Sequence, residues 1–164
     1  MLGNNDNELC QCEQLLCEIM DLRNSIVSFV YSDKGTIKED ADMFFKSNAI
    51  TRVLDKINLL KQLNIGTFFV GNKASSPDFH AWELFDQMKN YARYHSLDDI
   101  MVNYHALQEF YINFKTLPNN QKYFSSKLYT YPMNNKSSSL GGTPDGGKYD
   151  KSMVCTWNTY DGVY

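Results

Sequence analysis

No run of apolar residues in this 164-residue chain approaches the ~20 needed to cross a bilayer, so no membrane span is expected. Positive charge is not in excess either. Sixteen Lys and Arg stand against 19 Asp and Glu, giving a net charge of −3, and the cations are scattered. That balance argues against a nucleic-acid surface. Proline is scarce and none falls in the first 45 residues, which leaves that stretch free to form long helices. No segment before residue 130 alternates apolar and polar residues at period two, so no strand is expected there. Cysteine is also sparse. Cys10, Cys12 and Cys17 lie close together and Cys155 is remote. The chain is too large to depend on a disulfide framework, and its polar, acidic start (MLGNNDNELCQCEQ) looks like neither a secretory signal nor an Arg-rich transit peptide. On a helix Cys10 and Cys17 share a face and Cys12 points away, so the three do not converge on a metal. The expectation is reduced thiols in an intracellular reducing compartment, the cytoplasm first, with an organellar or cytoskeletal assembly as alternatives.

What is present reads as helix. Leu15, Ile19, Leu22, Ile26 and Val30 recur at steps of three and four, predicting a helix over 8–31 with Asn4, Asn5 or Asp6 as its cap. Asp33-Lys34-Gly35 breaks the pattern. A second helix is expected over 37–64, with Val53, Ile57 and Leu60 as its later stripe, widened by Leu54 and Leu63. Ser75-x-x-Asp78 then precedes an apolar run. A Ser hydroxyl suits the N-cap, and a carboxylate three residues on can reach back to the cap amide. Pro77 fits the first turn, where its missing N–H is no loss. A helix is therefore predicted from 76 to about 91, with Phe79, Trp82, Phe85 and Met88 along one side. Another, over 103–116, has Leu107, Phe110, Tyr111, Phe114 and Leu117 on its inner face, and a short one follows over 119–128. The fold class is all-α, a bundle of five to six helices over residues 1–133.

From Asn134 the composition changes. Residues 134–164 hold five of the nine glycines, and such a segment cannot build its own core. It nevertheless carries Tyr149, Trp157, Tyr160 and Tyr164, aromatics that a plain linker does not need. The reading is an extended tail whose aromatics contact a partner. Other motifs are bland. His80, His95 and His105 fall in different predicted elements without metal-ligand spacing, and Asp98-Asp99 reads as a solvated or capping pair. The stretch LGGTPDGG lacks the Lys-Ser/Thr of a phosphate loop.

The order of helices, with FFVGNKASSPDFHAWELFDQ followed by HALQEFYINFKTLPNNQKYFSSKLY, resembles the C-terminal all-α domain of cytosolic glutathione transferases, most like the mu class. The resemblance covers roughly residues 8–135. It implies that Ser75 and Asp78 form a capping box that serves folding, accompanied by a hydrophobic staple at Ala74 and Phe79. It implies that Asp21, in the Met-Asp pair of IMDLRNSIVSFVYS, corresponds to an Asp that helps hold glutathione across a dimer interface. Tyr31, ten residues on, corresponds to a Tyr that lines the electrophile site and can act there as an acid. In that family the thiol is activated by an N-terminal thioredoxin-like domain, which the sequence lacks on this reading. KSNAITRVLDK (46–56) looks like a motif of that missing domain but follows a helical stretch, so it reads as helix composition.

The expectation is therefore a non-catalytic structural or scaffold subunit with no cofactor, docking through its bare helical face and its tail with other protein subunits of a larger assembly. A weak homodimer through the first two helices is compatible with this. The alternative is a glutathione transferase, or part of one, whose glutathione-activating half comes from a partner. Conjugation needs a donor beside the thiol and a cradle for the tripeptide, which Asp21 and Tyr31 alone do not supply.

Overall fold

A computed structural model describes residues 2–135 and 137–143. These contain six α-helices and no strand. They are α1 (Asp6–Val30), α2 (Lys38–Phe45), α3 (Asn48–Leu63), α4 (Ser76–His95), α5 (His105–Lys115) and α6 (Pro118–Phe124), with 3-10 turns at Asp33–Thr36 and Lys127–Thr130. Helix α1 packs chiefly on α4 and also on α3, while α3 rests on α5. No described helix is long and apolar enough to cross a membrane. Tyr149, Trp157, Tyr160, Tyr164 and Cys155 lie outside the described residues.

Each helix follows from its periodicity. Asn5 caps α1 by accepting from the Glu8 amide at 3.0 Å. The stripe Leu15, Ile19, Leu22, Ile26 and Val30 is buried, extended by Cys12 and Phe29. Helix α4 is central, and Ala81, Trp82, Leu84, Phe85, Met88, Tyr91 and Ala92 all face protein. Helix α5 buries Leu107, Phe110 and Phe114. Trp82 belongs to the core: its indole N–H donates to the Tyr111 carbonyl at 3.1 Å, and its ring stacks on Tyr111 with centroids 5.3 Å apart.

Several expectations need correction. The single helix over 37–64 is two helices, broken at Lys46-Ser47. Phe29 and Phe44 stack at 4.3 Å and Phe45 meets both rings edge-on, so α2 must turn to bring both phenylalanines inward. Ser47 then opens α3 with extended backbone, and KSNAITRVLDK is the start of that helix. The core stripe of α3 is Ile50, Leu54, Ile57 and Lys61, whereas Val53 and Leu60 are only partly buried and Leu63 is exposed. Lys61 can sit there because its ammonium donates to the carbonyls of Asn64 and Gly66 at 3.2 and 2.7 Å, closing the end of α3. Burial lowers its pKa, with Glu109 and Asp78 acting the other way.

Helix α4 runs one turn further than its apolar pattern, to His95. The buried His95 donates from Nε2 to the Gly35 carbonyl at 3.0 Å, and Ser96 closes the helix in the left-handed conformation at φ 53°. His80 and His95 therefore share one helix, but the first is exposed and the second buried. Asp99 is not simply solvated: it pairs with Lys89 and accepts from the Met101 amide at 3.0 Å, while Asp98 is exposed. The last correction concerns the glycine-rich segment. Its first part joins the main core. Leu140 is fully buried, the Ser139 amide donates to the Val30 carbonyl at 2.7 Å, and the Asn134 amide group donates to the Tyr91 hydroxyl at 2.6 Å. Gly35 permits this contact, since a Cβ there would stand 3.1 Å from both the Phe29 carbonyl oxygen and the Ser139 Cβ.

Candidate interaction face

Helix α1 carries every candidate that the sequence offered for substrate contact, and it displays more than one face. Its buried stripe uses steps of three and four. A second set of apolar residues, Leu9, Leu16, Met20, Val27 and Tyr31, recurs at steps of seven and four. At ~100° per residue these five fall within a sector of roughly 60°, centred about 115° from the buried stripe. They form one line about 33 Å long. Leu9 is 40% exposed, Met20 38% and Tyr31 41%, with Leu16 and Val27 half-buried between them. Most surface apolar residues stand singly and mean little. A continuous line along a 25-residue helix is a different feature.

Asp21 and Tyr31 do not converge. Ten residues separate them, about 15 Å along the axis and roughly 80° around it. Asp21 is exposed, and its backbone carbonyl accepts from the Ser25 hydroxyl at 3.0 Å. Tyr31 lies at the end of α1, where its amide closes the last turn on the Val27 carbonyl at 3.1 Å. It borders the buried Tyr91, whose phenol is pushed up to about 12 by burial, with the bond from Asn134 acting the other way. Tyr91 thus remains a neutral hydroxyl under ordinary conditions. Tyr91 and Asn134 are missing from any reading of single motifs, because they meet only when residues 134–143 fold back on α4.

Ser75 and Asp78 do come together. The capping box is closed, and its weight lies on the carboxylate. Asp78 Oδ2 accepts from the Ser75 amide and from the Ser75 hydroxyl, each at 2.7 Å. Asp78 Oδ1 accepts from the Phe69 amide at 2.8 Å, tying the preceding loop to the helix start. Burial raises the Asp78 pKa, and these bonds together with Lys61 offset part of the rise. Ala74 is partly buried, whereas Phe79 is 42% exposed and meets Phe114 edge-on at 5.1 Å. Cys10 and Cys17 are exposed and Cys12 is buried, with its thiol raised by burial. Among the described residues no group of His, Cys, Asp and Glu is arranged to hold a metal.

Residues 20–127 fit the family model described as Glutathione S-transferase, C-terminal domain. No curated protein matches the chain.

Proposed function

The chain belongs to the glutathione S-transferase C-terminal domain family, and we propose that it serves as a non-catalytic structural subunit of a larger protein assembly, docked through the apolar line on α1. The observation that carries this reading is the exposure of Leu9, Met20 and Tyr31 along one side of that helix, with Leu16 and Val27 half-buried between them. Contiguous apolar surface of this kind marks partner contact more often than free surface. Within the family we read the helical domain as mu-class-like, on Met20-Asp21 and Tyr31. A weak homodimer through the first helices is a further form the assembly can take.

The competing reading is a glutathione transferase whose thiol-activating half is supplied by a partner. Tyr31 favours it, since its exposed position at the end of α1 would let its hydroxyl serve as an acid toward an electrophile. What counts against a self-sufficient site is that neither Asp21 nor Tyr31 supplies the donor that would stabilise a thiolate. Calorimetric titration of the folded chain with glutathione separates the readings. The structural reading expects no saturable heat up to millimolar glutathione. Saturable binding that Asp21→Ala abolishes would overturn it in favour of the enzyme.

A further inference from the structure

On the side of α4 away from α1, the chain builds an aromatic-walled cleft that the reading of α1 does not use. The cleft has a volume of about 380 Å3. Trp82, Tyr123, Tyr129 and Tyr131 line it, with Glu83 and Asp86 on the α4 side. The rings are turned against one another rather than stacked flat. Tyr123 and Tyr129 lie 5.7 Å apart at 65°, and Trp82 and Tyr129 6.3 Å apart at 46°.

The carboxylates on this wall bond neutral donors. Asp86 accepts from the Tyr111 hydroxyl at 2.5 Å and from the Tyr129 hydroxyl at 3.2 Å. Both donors are neutral and stay so: burial first and then the Asp86 charge push Tyr129 up to about 12, and Tyr111 is raised as well. Glu83 accepts only from the Gln87 amide, at 3.4 Å. No ion pair among the described residues reaches either carboxylate. Both carboxylates also act on Tyr123, whose phenol is raised chiefly by burial and then by their charge. The one cation lining the cleft is Arg93, whose guanidinium bonds Asn90. Its charge also acts on Tyr129, against the rise.

Where the chain has a cation to offer, this aromatic cluster takes it. The Lys115 ammonium lies 5.4 Å from the Phe124 centroid and 5.3 Å from that of Tyr129, and Lys89 lies 5.2 Å from Tyr111. Among the described residues no lysine lines the cleft itself. Ring faces attract a cation through their quadrupole, and most effectively one too weakly hydrated to prefer water. A neighbouring carboxylate adds charge attraction without demanding a directed hydrogen bond.

We propose that this cleft is a binding site for alkylated ammonium groups, held between Tyr123 and Tyr129 and balanced by Glu83 and Asp86. Two sources share that chemistry, a free quaternary amine and the methylated lysine of a protein. The test follows amide signals and the Trp82 indole signal of the 15N-labelled full chain. Choline chloride is titrated against its neutral isostere, 3,3-dimethyl-1-butanol, at matched ionic strength. Saturable shifts grouped on residues 82–87 and 123–133 are expected, with the alcohol at least about tenfold weaker. Glu83→Gln should weaken choline binding about three- to tenfold, and Tyr123→Leu about tenfold. Both side chains are exposed, so both variants should remain folded. A trimethyllysine peptide and its unmodified counterpart identify the source. Peptide binding tighter than choline assigns a protein side chain, and choline at least as tight assigns a free amine. Equal binding of choline and the alcohol, no saturable shift, or shifts unaffected by both substitutions would each overturn the proposal.

Discussion

Asp78 does more than its motif announces. A capping carboxylate ordinarily bonds one amide, but here three donors converge on it, two from Ser75 and one from Phe69. Ser75→Ala should lower stability by about 0.5–2 kcal/mol, the usual range for a lost N-cap. Asp78→Ala should lower it by about 1–3 kcal/mol, because it leaves the Ser75 and Phe69 amides without their acceptor. The pH dependence has a definite sign. Burial raises the folded-state pKa above the unfolded value, so the native state holds its proton longer. The resulting stabilisation is full below the ordinary carboxylate range and is lost as pH rises through the raised pKa. Urea midpoints of the wild type and Asp78→Ala across mildly acidic pH should therefore differ most at the acid end. A difference that grows with rising pH would contradict the argument. At the same scale Tyr91→Phe leaves the Asn134 amide group with the Leu140 carbonyl alone, at 2.9 Å. It should cost about 0.5–1.5 kcal/mol and speed hydrogen exchange at the Ser139 amide.

The helices themselves were largely legible. The stripes of α1 and α5 are strictly periodic, and in both the residues buried are mainly those the period selects. The misses have physical causes. Phe44 and Phe45 stand side by side at a place where helix propensity alone would continue, and only their packing on Phe29 forces the break between α2 and α3. Lys61 occupies a core position because loop carbonyls arrive to meet it, which no local pattern reports. The length of α4 was set by a contact with Gly35, 60 residues away. Ser96 caps that helix at a positive φ that favours glycine, so Ser96→Gly should stabilise by roughly 0.5–1 kcal/mol, seen as a higher Tm. Leu140 offers the opposite surprise. It sits in a serine- and glycine-rich stretch yet is fully buried, so Leu140→Ala should cost about 2–5 kcal/mol by chemical denaturation. The exposed line on α1 could have been read from its steps of seven and four, but the stronger core stripe of the same helix conceals it. The aromatic-walled cleft could not, since residues 128–133 reach α4 only in the folded chain.

At the scale of the whole molecule, helix α1 serves two surfaces. One face holds the bundle together, and among the described residues the other is partly exposed over about 33 Å. The family assignment explains the bundle and leaves the occupant of the second face as the question on which function turns. Leu9, Leu16, Met20, Val27 and Tyr31 share one side of α1. A charge at Met20 should disrupt docking while leaving the fold intact, because that side chain is 38% exposed in the isolated chain. The most direct measurement is the native size of the tagged full chain in extracts of its own cells, by sedimentation, beside Met20→Glu with unchanged helical circular dichroism. The account predicts that the wild type sediments with a large assembly and that Met20→Glu sediments as a free 19.0 kDa chain. A wild type that sediments alone, or a Met20→Glu chain that stays in the assembly, would contradict it.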